Sequence, residues 1–179
     1  GESISAWNSL KIQALCPRVD LIGGDLSAFR GETGDWLIAA DAMLDPKNEN
    51  RLTWTAGAGV AVNGPKGSTG HLVTKAEHGD CRAHIEFMVP KGSNSGVYFQ
   101  GRYEIQVLDS WDVKAPGSGD CGAIYERWKD DKGYEGRPPR VNASLPPGQW
   151  QTYDVWFRAP RFDATGKKIA DARVVKVVH

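Results

Sequence analysis

Residues 94–110, Asn94-Ser95-Gly96-Val97-Tyr98-Phe99-Gln100-Gly101-Arg102-Tyr103-Glu104-Ile105-Gln106-Val107-Leu108-Asp109-Ser110, constrain the fold more than any other stretch. Two alternating runs, rich in β-branched and aromatic residues, flank a Gly-Arg pair, which is the pattern of a β-hairpin. Loop length decides what it can do. With a two-residue loop, Glu104 faces Phe99 and Gln106 faces Val97, so polar and apolar side chains mix on both faces. With a three-residue loop the pairing shifts by one and the side chains sort. Val97, Phe99, Tyr103, Ile105 and Val107 then share one face, and Tyr98, Glu104 and Gln106 the other. Gln100 joins them unless it lies in the loop itself. Because a one-residue slip flips every side chain, the odd-length loop with a bulge at Gly101 is expected. The hairpin then has an apolar underside and an upper side bearing a carboxylate, an amide and a phenol, a floor suited to a sugar.

The preceding strand supports this reading. In residues 81–89 the odd positions Ala83, Ile85, Phe87 and Val89 are apolar, and the even positions Arg82, His84, Glu86 and Met88 are mostly polar. That is a half-buried antiparallel strand with one polar face. Further strands are expected over residues 21–29, 36–40, 51–55, 60–62, 150–157 and 172–179. Residues 123–128 read as a strand or one short turn. Residues 45–50 and 163–168 read as turns, and 112–120 and 129–144 as loops. Residues 1–20 show no periodicity and form an N-terminal arm ahead of a single domain, 21–179. No helical period appears anywhere, so the chain is expected to be an all-β antiparallel sandwich.

Composition narrows the function. The chain has 179 residues, enough for one buried domain. Lys and Arg number 22 against 22 Asp and Glu, so no polyanion-binding surface is expected and nucleic acid is an unsuitable partner. Seven Trp and five Tyr suit either sugar stacking or a sandwich core. The glycine-rich run 63–70 lacks the Gly-Lys-Ser/Thr ending of a phosphate loop. No apolar run reaches membrane-spanning length, and the start Gly1-Glu2-Ser3-Ile4 has no signal-peptide character. Cys81 and Cys121 each follow Gly-Asp and are read either as one disulfide or as two buried thiols; Cys16 is read as incidental.

The 94–110 run resembles the signature of the 3-keto-disaccharide hydrolase family, a bacterial family formerly known only as a domain of unknown function. Supporting motifs are Cys121-Gly122-Ala123-Ile124-Tyr125, Pro146-Pro147-Gly148-Gln149-Trp150-Gln151-Thr152-Tyr153, Gly24-Asp25-Leu26-Ser27-Ala28-Phe29 and Gly34-Asp35-Trp36. The resemblance implies a concanavalin A-like lectin/glucanase jelly roll and an exported bacterial protein, periplasmic or extracellular. In that family the strand equivalent to residues 172–179 runs into an Asn-Gly hairpin and a further stretch that completes the sandwich. Here residues 172–179 end before one, so the sandwich is expected to lack its last strands and to leave an open edge for a second copy of the chain.

A conventional glycosidase needs two carboxyl groups on one side of a cleft. Glu104 and Asp109 are offset by five and fall on opposite faces of a regular strand, unless a bulge turns Asp109 inward. Two residues beyond Glu104, where glucanase-like strands often carry a second acid, stands Gln106. A 3-keto sugar offers another route, which the resemblance implies and the residues permit. The C3 ketone acidifies the C2 proton, one base removes it, and the C1 substituent is eliminated; water can then add back. Glu104 is the candidate base, with Gln106 and Asp109 beside it as catalytic candidates. Tyr98, Gln100, Arg102, Trp111 and Tyr125 are the candidate sugar-binding residues. His84 and Glu86, with Glu104, are candidate ligands for a divalent metal. His71 reads as a surface residue, and Arg127 and Trp128 as lesser wall residues. The alternative is a non-catalytic carbohydrate-binding module of the same fold.

Overall fold

The structure, a computed structural model, describes residues 18–31 and 33–179. The expected N-terminal arm and Cys16 lie almost wholly outside the described residues. Eleven strands are present among them: β1 Leu37–Asp45, β2 Asn48–Val62, β3 Cys81–Phe87, β4 Asn94–Phe99, β5 Tyr103–Leu108, β6 Arg127–Lys129, β7 Lys132–Tyr134, β8 Gln151–Arg158, β9 Arg161–Phe162, β10 Lys168–Ala170 and β11 Arg173–Val178. All pairings between these strands are antiparallel, no helix occurs among the described residues, and the protein is an all-β sandwich. It follows that none of the described residues forms a helix long and apolar enough to cross a membrane.

Two layers face each other across one core. The first is the sheet β11-β8-β3. The second is the hairpin β4-β5, extended past β5 by backbone bonds to residues 122–125. Gln106 N donates to Ala123 O at 2.9 Å, Gly122 N to Gln106 O at 2.9 Å, and Tyr125 N to Glu104 O at 3.0 Å. Alternation puts Phe99, Ile105 and Val107 on the inner side of the second layer and Tyr153, Val155 and Phe157 on that of the first, all buried. The Phe99 and Phe157 rings stack at 5.1 Å between centroids. Tyr153, fully buried on β8, spans the gap and donates its hydroxyl to Gln106 O of β5 at 2.8 Å. Such a reach matches the roughly 10 Å separation of packed sheets.

The long hairpin β1-β2 has a smaller core of its own around Ala39, Ala42 and Val62. Its register breaks between the pairs Ala39↔Val60 and Asp41↔Thr55. There a side chain on Gly57, at φ 146°, would fall 2.5 Å from Ala40 Cβ. The two short strands expected at 51–55 and 60–62 are therefore one strand, β2, with an irregularity in its middle.

Two expectations are corrected. Residues 21–29 form bends and a turn, with a single bridge from Phe29 to Thr74. Asp25 Oδ1 accepts Ser27 N at 2.8 Å and Phe29 N donates to Leu26 O at 3.0 Å, so local turn bonds replace a ladder. Residues 129–144, expected as loop, contain β7, which pairs with β6 as a hairpin. Its two turn residues, Asp130 at φ 49° and Asp131 at φ 58°, are both left-handed, as a two-residue hairpin turn requires. Of the two readings for the cysteines, no disulfide joins Cys81 to Cys121; Cys121 is buried with Sγ 2.9 Å from the Tyr153 hydroxyl.

Removing that hydroxyl tests the link between layers. Gln106 O keeps its bond from Gly122, so no carbonyl is orphaned. Tyr153→Phe is expected to cost about 1 kcal/mol, read as a lower urea midpoint with an unchanged slope.

Candidate functional site

The site is built from the register of β4 and β5. Tyr98 pairs with Glu104 and Gly96 with Gln106, with Gln100, Gly101 and Arg102 as a three-residue loop. This is the expected odd-length connection, and Gln100 lies in it. Gln100 at φ 55° and Gly101 at φ 61° turn the chain through left-handed conformations. Tyr98 and Glu104 therefore stand together on the outer face of the sandwich. Tyr98 donates its hydroxyl to Glu104 Oε2 at 2.5 Å. The other oxygen, Oε1, lies over Gly96, where a Cβ would come within 1.8 Å of it. Glycine at this position gives the carboxylate its resting place. Burial, then the hydrogen bond and charge of Glu104, push the Tyr98 phenol up to about 12, so it remains a donor.

A groove of about 340 Å³ opens over this pair. Tyr98, Arg102, Glu104 and Tyr125 line it from the sheet, and Glu126, Arg127, Trp128 and Tyr134 from the β6-β7 region. Arg127 fixes that second wall. Its guanidinium lies 5.3 Å from the Tyr103 ring and 4.8 Å from the Tyr134 ring, and it pairs with Glu135. Arg102, by contrast, has no ion-pair partner among the described residues. Trp128 is 58% exposed, offering an aromatic face.

His71 also approaches the site. Its ring meets Tyr98 edge-on at 6.2 Å. The preceding loop is held by Trp36, whose Nε1 donates to Gly70 O at 2.7 Å, and by Thr69 Oγ1, which accepts Asp35 N at 2.7 Å. His71 is exposed, as expected of a surface residue, yet it adjoins the site.

Other candidates are not brought to the groove. Gln106 is buried beneath the loop that follows β5, its Nε2 donating to Gly119 O at 3.1 Å and Asn94 Oδ1 at 3.3 Å. It locks that loop to the hairpin and does not line the groove. Asp109 accepts Gly92 N at 2.9 Å and Trp111 N at 3.3 Å, so its carboxylate braces a turn at the strand end. Gln100 donates to His78 O at 3.3 Å. Trp111 is exposed but lines no part of the groove. His84 and Glu86 project from the outward face of β3, beside Asp154 of β8. Since β3 and β5 belong to opposite layers, the sandwich separates this pair from Glu104, and the expected three-residue ligand set does not assemble.

Sequence reasoning missed Glu126 and Tyr134. The available signal was Asp130-Asp131 between two short runs, a turn type that converts residues 127–134 into a hairpin.

The Tyr98–Glu104 contact can be titrated. Tyrosinate absorbance, taken as the difference from Tyr98→Phe, is expected to show Tyr98 ionising near pH 12 against an ordinary value of 10.0. Its stabilising contribution is intact below pH 10 and lost as the pH rises through about 12. Glu104→Gln should lower the transition part-way only, because burial is the larger cause. Gly96→Ala should act in the same direction by displacing the carboxylate.

Three comparisons bear on identity. No curated protein matches the chain. Among solved structures, the chain is similar to a Parabacteroides distasonis protein provisionally described as a glycosyl hydrolase. The two are 28% identical with a TM-score of 0.53, over 89% of this chain and 60% of that one. The chain thus spans 60% of that protein's length, less than two thirds. The model of the 3-keto-alpha-glucoside-1,2-lyase-like domain matches residues 17–178. This chain belongs to the 3-keto-alpha-glucoside-1,2-lyase-like domain family.

Proposed function

We propose that this domain cleaves 3-keto-glycosides by elimination, with Glu104 as the base that removes the C2 proton. The observation that carries the reading is the Glu104 carboxylate, held by the Tyr98 hydroxyl at the floor of an open groove. A ketone at C3 makes the neighbouring C2–H acidic enough for a carboxylate to remove. The electron pair moves onto the C3 oxygen as an enolate, and a cation beside it stabilises that charge. Arg102, lining the groove without an ion-pair partner among the described residues, is suited to this. Arg127 is already committed to Glu135 and to two aromatic rings, so its part is to hold the wall. Collapse of the enolate expels the C1 substituent. Water adding to the product gives net hydrolysis.

The exposed Trp128 and the openness of the groove favour a second reading, a carbohydrate-binding module without turnover. One experiment separates the two. A 3-keto-disaccharide is followed by NMR in heavy water with wild type and with Glu104→Gln. The expected result is C2 deuteration and cleavage by wild type, both reduced at least about 100-fold in the variant while sugar binding persists. Binding by wild type with neither exchange nor cleavage would establish the binding module instead.

A further inference from the structure

An elimination needs a proton for the departing oxygen as well as a base for the C2 proton. Asp109, which position along the strand suggested, has its carboxylate bound to two backbone N–H groups and lines no part of the groove. The Tyr98 hydroxyl is held by Glu104. Glu135 is paired with Arg127. Among the described residues, the groove contains one carboxyl group besides Glu104, that of Glu126.

Glu126 stands between Tyr125, which bonds to Glu104 O, and β6, and lines the same groove as Glu104. No hydrogen bond or ion pair to its carboxyl group occurs among the described residues. Two glycines make room for it. A Cβ at Gly133 would lie 2.5 Å from Glu126 Cδ, and one at Gly136 2.9 Å from Glu126 Cβ. Gly133 faces Trp128 across the β6-β7 ladder, so the carboxyl group rests over the backbone of β7. Because Arg127 pins the same hairpin to Tyr103 of β5, the two walls of the groove are fixed relative to each other. The arrangement is two carboxyl groups in one groove, one held by the Tyr98 hydroxyl and the other unengaged.

We infer that Glu126 is the general acid that protonates the leaving group, from its place in the same groove as Glu104 and the space that Gly133 and Gly136 leave for it. This inference rests on the elimination reading above. Glu104 carboxylate accepts the C2 proton, and the C2–H pair enters the enolate. The enolate re-forms the C3 carbonyl, the C1–C2 double bond forms and the C1–O bond breaks. The Glu126 carboxylic acid gives its proton to the departing oxygen, which leaves as a neutral alcohol. The sugar leaves as a 2-hydroxy-enone, Glu104 is left protonated and Glu126 ionised, and solvent returns both to their starting states. No oxidant or reductant is consumed.

Leaving-group dependence tests this. Wild type, Glu126→Gln and Gly133→Ala are assayed on a 3-keto-disaccharide, whose sugar alcohol needs protonation, and on a 3-keto-glucoside of nitrophenol, which leaves without it. C2 deuteration is measured in parallel. Glu126→Gln is expected to lose about 100-fold or more on the disaccharide and to stay within a few-fold of wild type on the nitrophenyl glycoside, with C2 exchange intact. Gly133→Ala, whose new methyl displaces the Glu126 carboxyl group without a strained backbone, should show the same selective loss in milder form. Equal losses on both substrates, or no loss on either, would overturn the role of Glu126. Absence of C2 exchange in wild type would instead overturn the elimination reading on which it rests.

Discussion

The pairing of Tyr98 with Glu104 is the constraint on which the rest of the structure depends. Three loop residues, two of them left-handed, set it. Had the loop been one residue shorter, Glu104 would face Phe99 and the alternation would break on both sides of the sheet. A carboxylate turned inward would enter the apolar core around Phe157 and Val155, where desolvation is costly. The register is therefore selected by burial as much as by turn geometry. Its by-product is a carboxylate and a phenol side by side on the outer face.

That outer face is rigid because of what lies under it. Gln106 is tied on both its side chain and its main chain. Its side chain holds Gly119 and Asn94, and its carbonyl accepts both Gly122 N and the Tyr153 hydroxyl. One residue thus connects the floor of the groove, the loop beside it and the opposite sheet. Buried polar groups that are satisfied in this way fix a single arrangement, whereas an unsatisfied member would be costly. Gln106 therefore matters to the site through the framework and not through contact with a sugar. Its parity on the strand suggests the reverse.

Legibility followed the strength of the periodic signal. The hairpin β4-β5, its odd loop and the alternation of β3 were readable because a period of two with a buried face admits one answer. The polar face of β3 was readable too, but not the side of the molecule on which it lies. Alternation tells which residues share a face of a strand; the layer to which the strand belongs comes from Phe99, Phe157 and Tyr153 meeting across the core. Without that information the sequence allows His84 and Glu86 to stand beside Glu104, and the layering separates them. Residues 21–29 have strand-forming side chains at their ends, yet Gly23, Gly24 and the Asp25–Ser27 turn between them break any ladder. The β6-β7 hairpin went unread because its strands have three residues each, too short for alternation to register. Its turn, Asp130-Asp131, carried the information instead.

The shortness of that hairpin has a functional side. Three-residue strands cannot hold a wall in place by their own ladder, and an isolated hairpin of this size is marginal in water. Arg127 makes up the difference by stacking on Tyr103, a residue of β5 whose own ring packs at 5.7 Å on Phe157. The second wall is thereby anchored to the main core by this side chain and by the backbone bonds at its base, Tyr125 N to Glu104 O and the Ile124–Arg137 pair, while its exposed tip, Lys129 to Lys132, stays outside these contacts. The two carboxyl groups of the groove thus come from neighbouring elements with partly different supports. Glu104 depends on the register of β4 and β5, and Glu126 on the backbone bond of Tyr125 to Glu104 O, on two glycines and on one cation–aromatic clamp. A groove built in this way can change the shape of its Glu126 side by altering the hairpin, without disturbing the β4-β5 pairing that places Glu104.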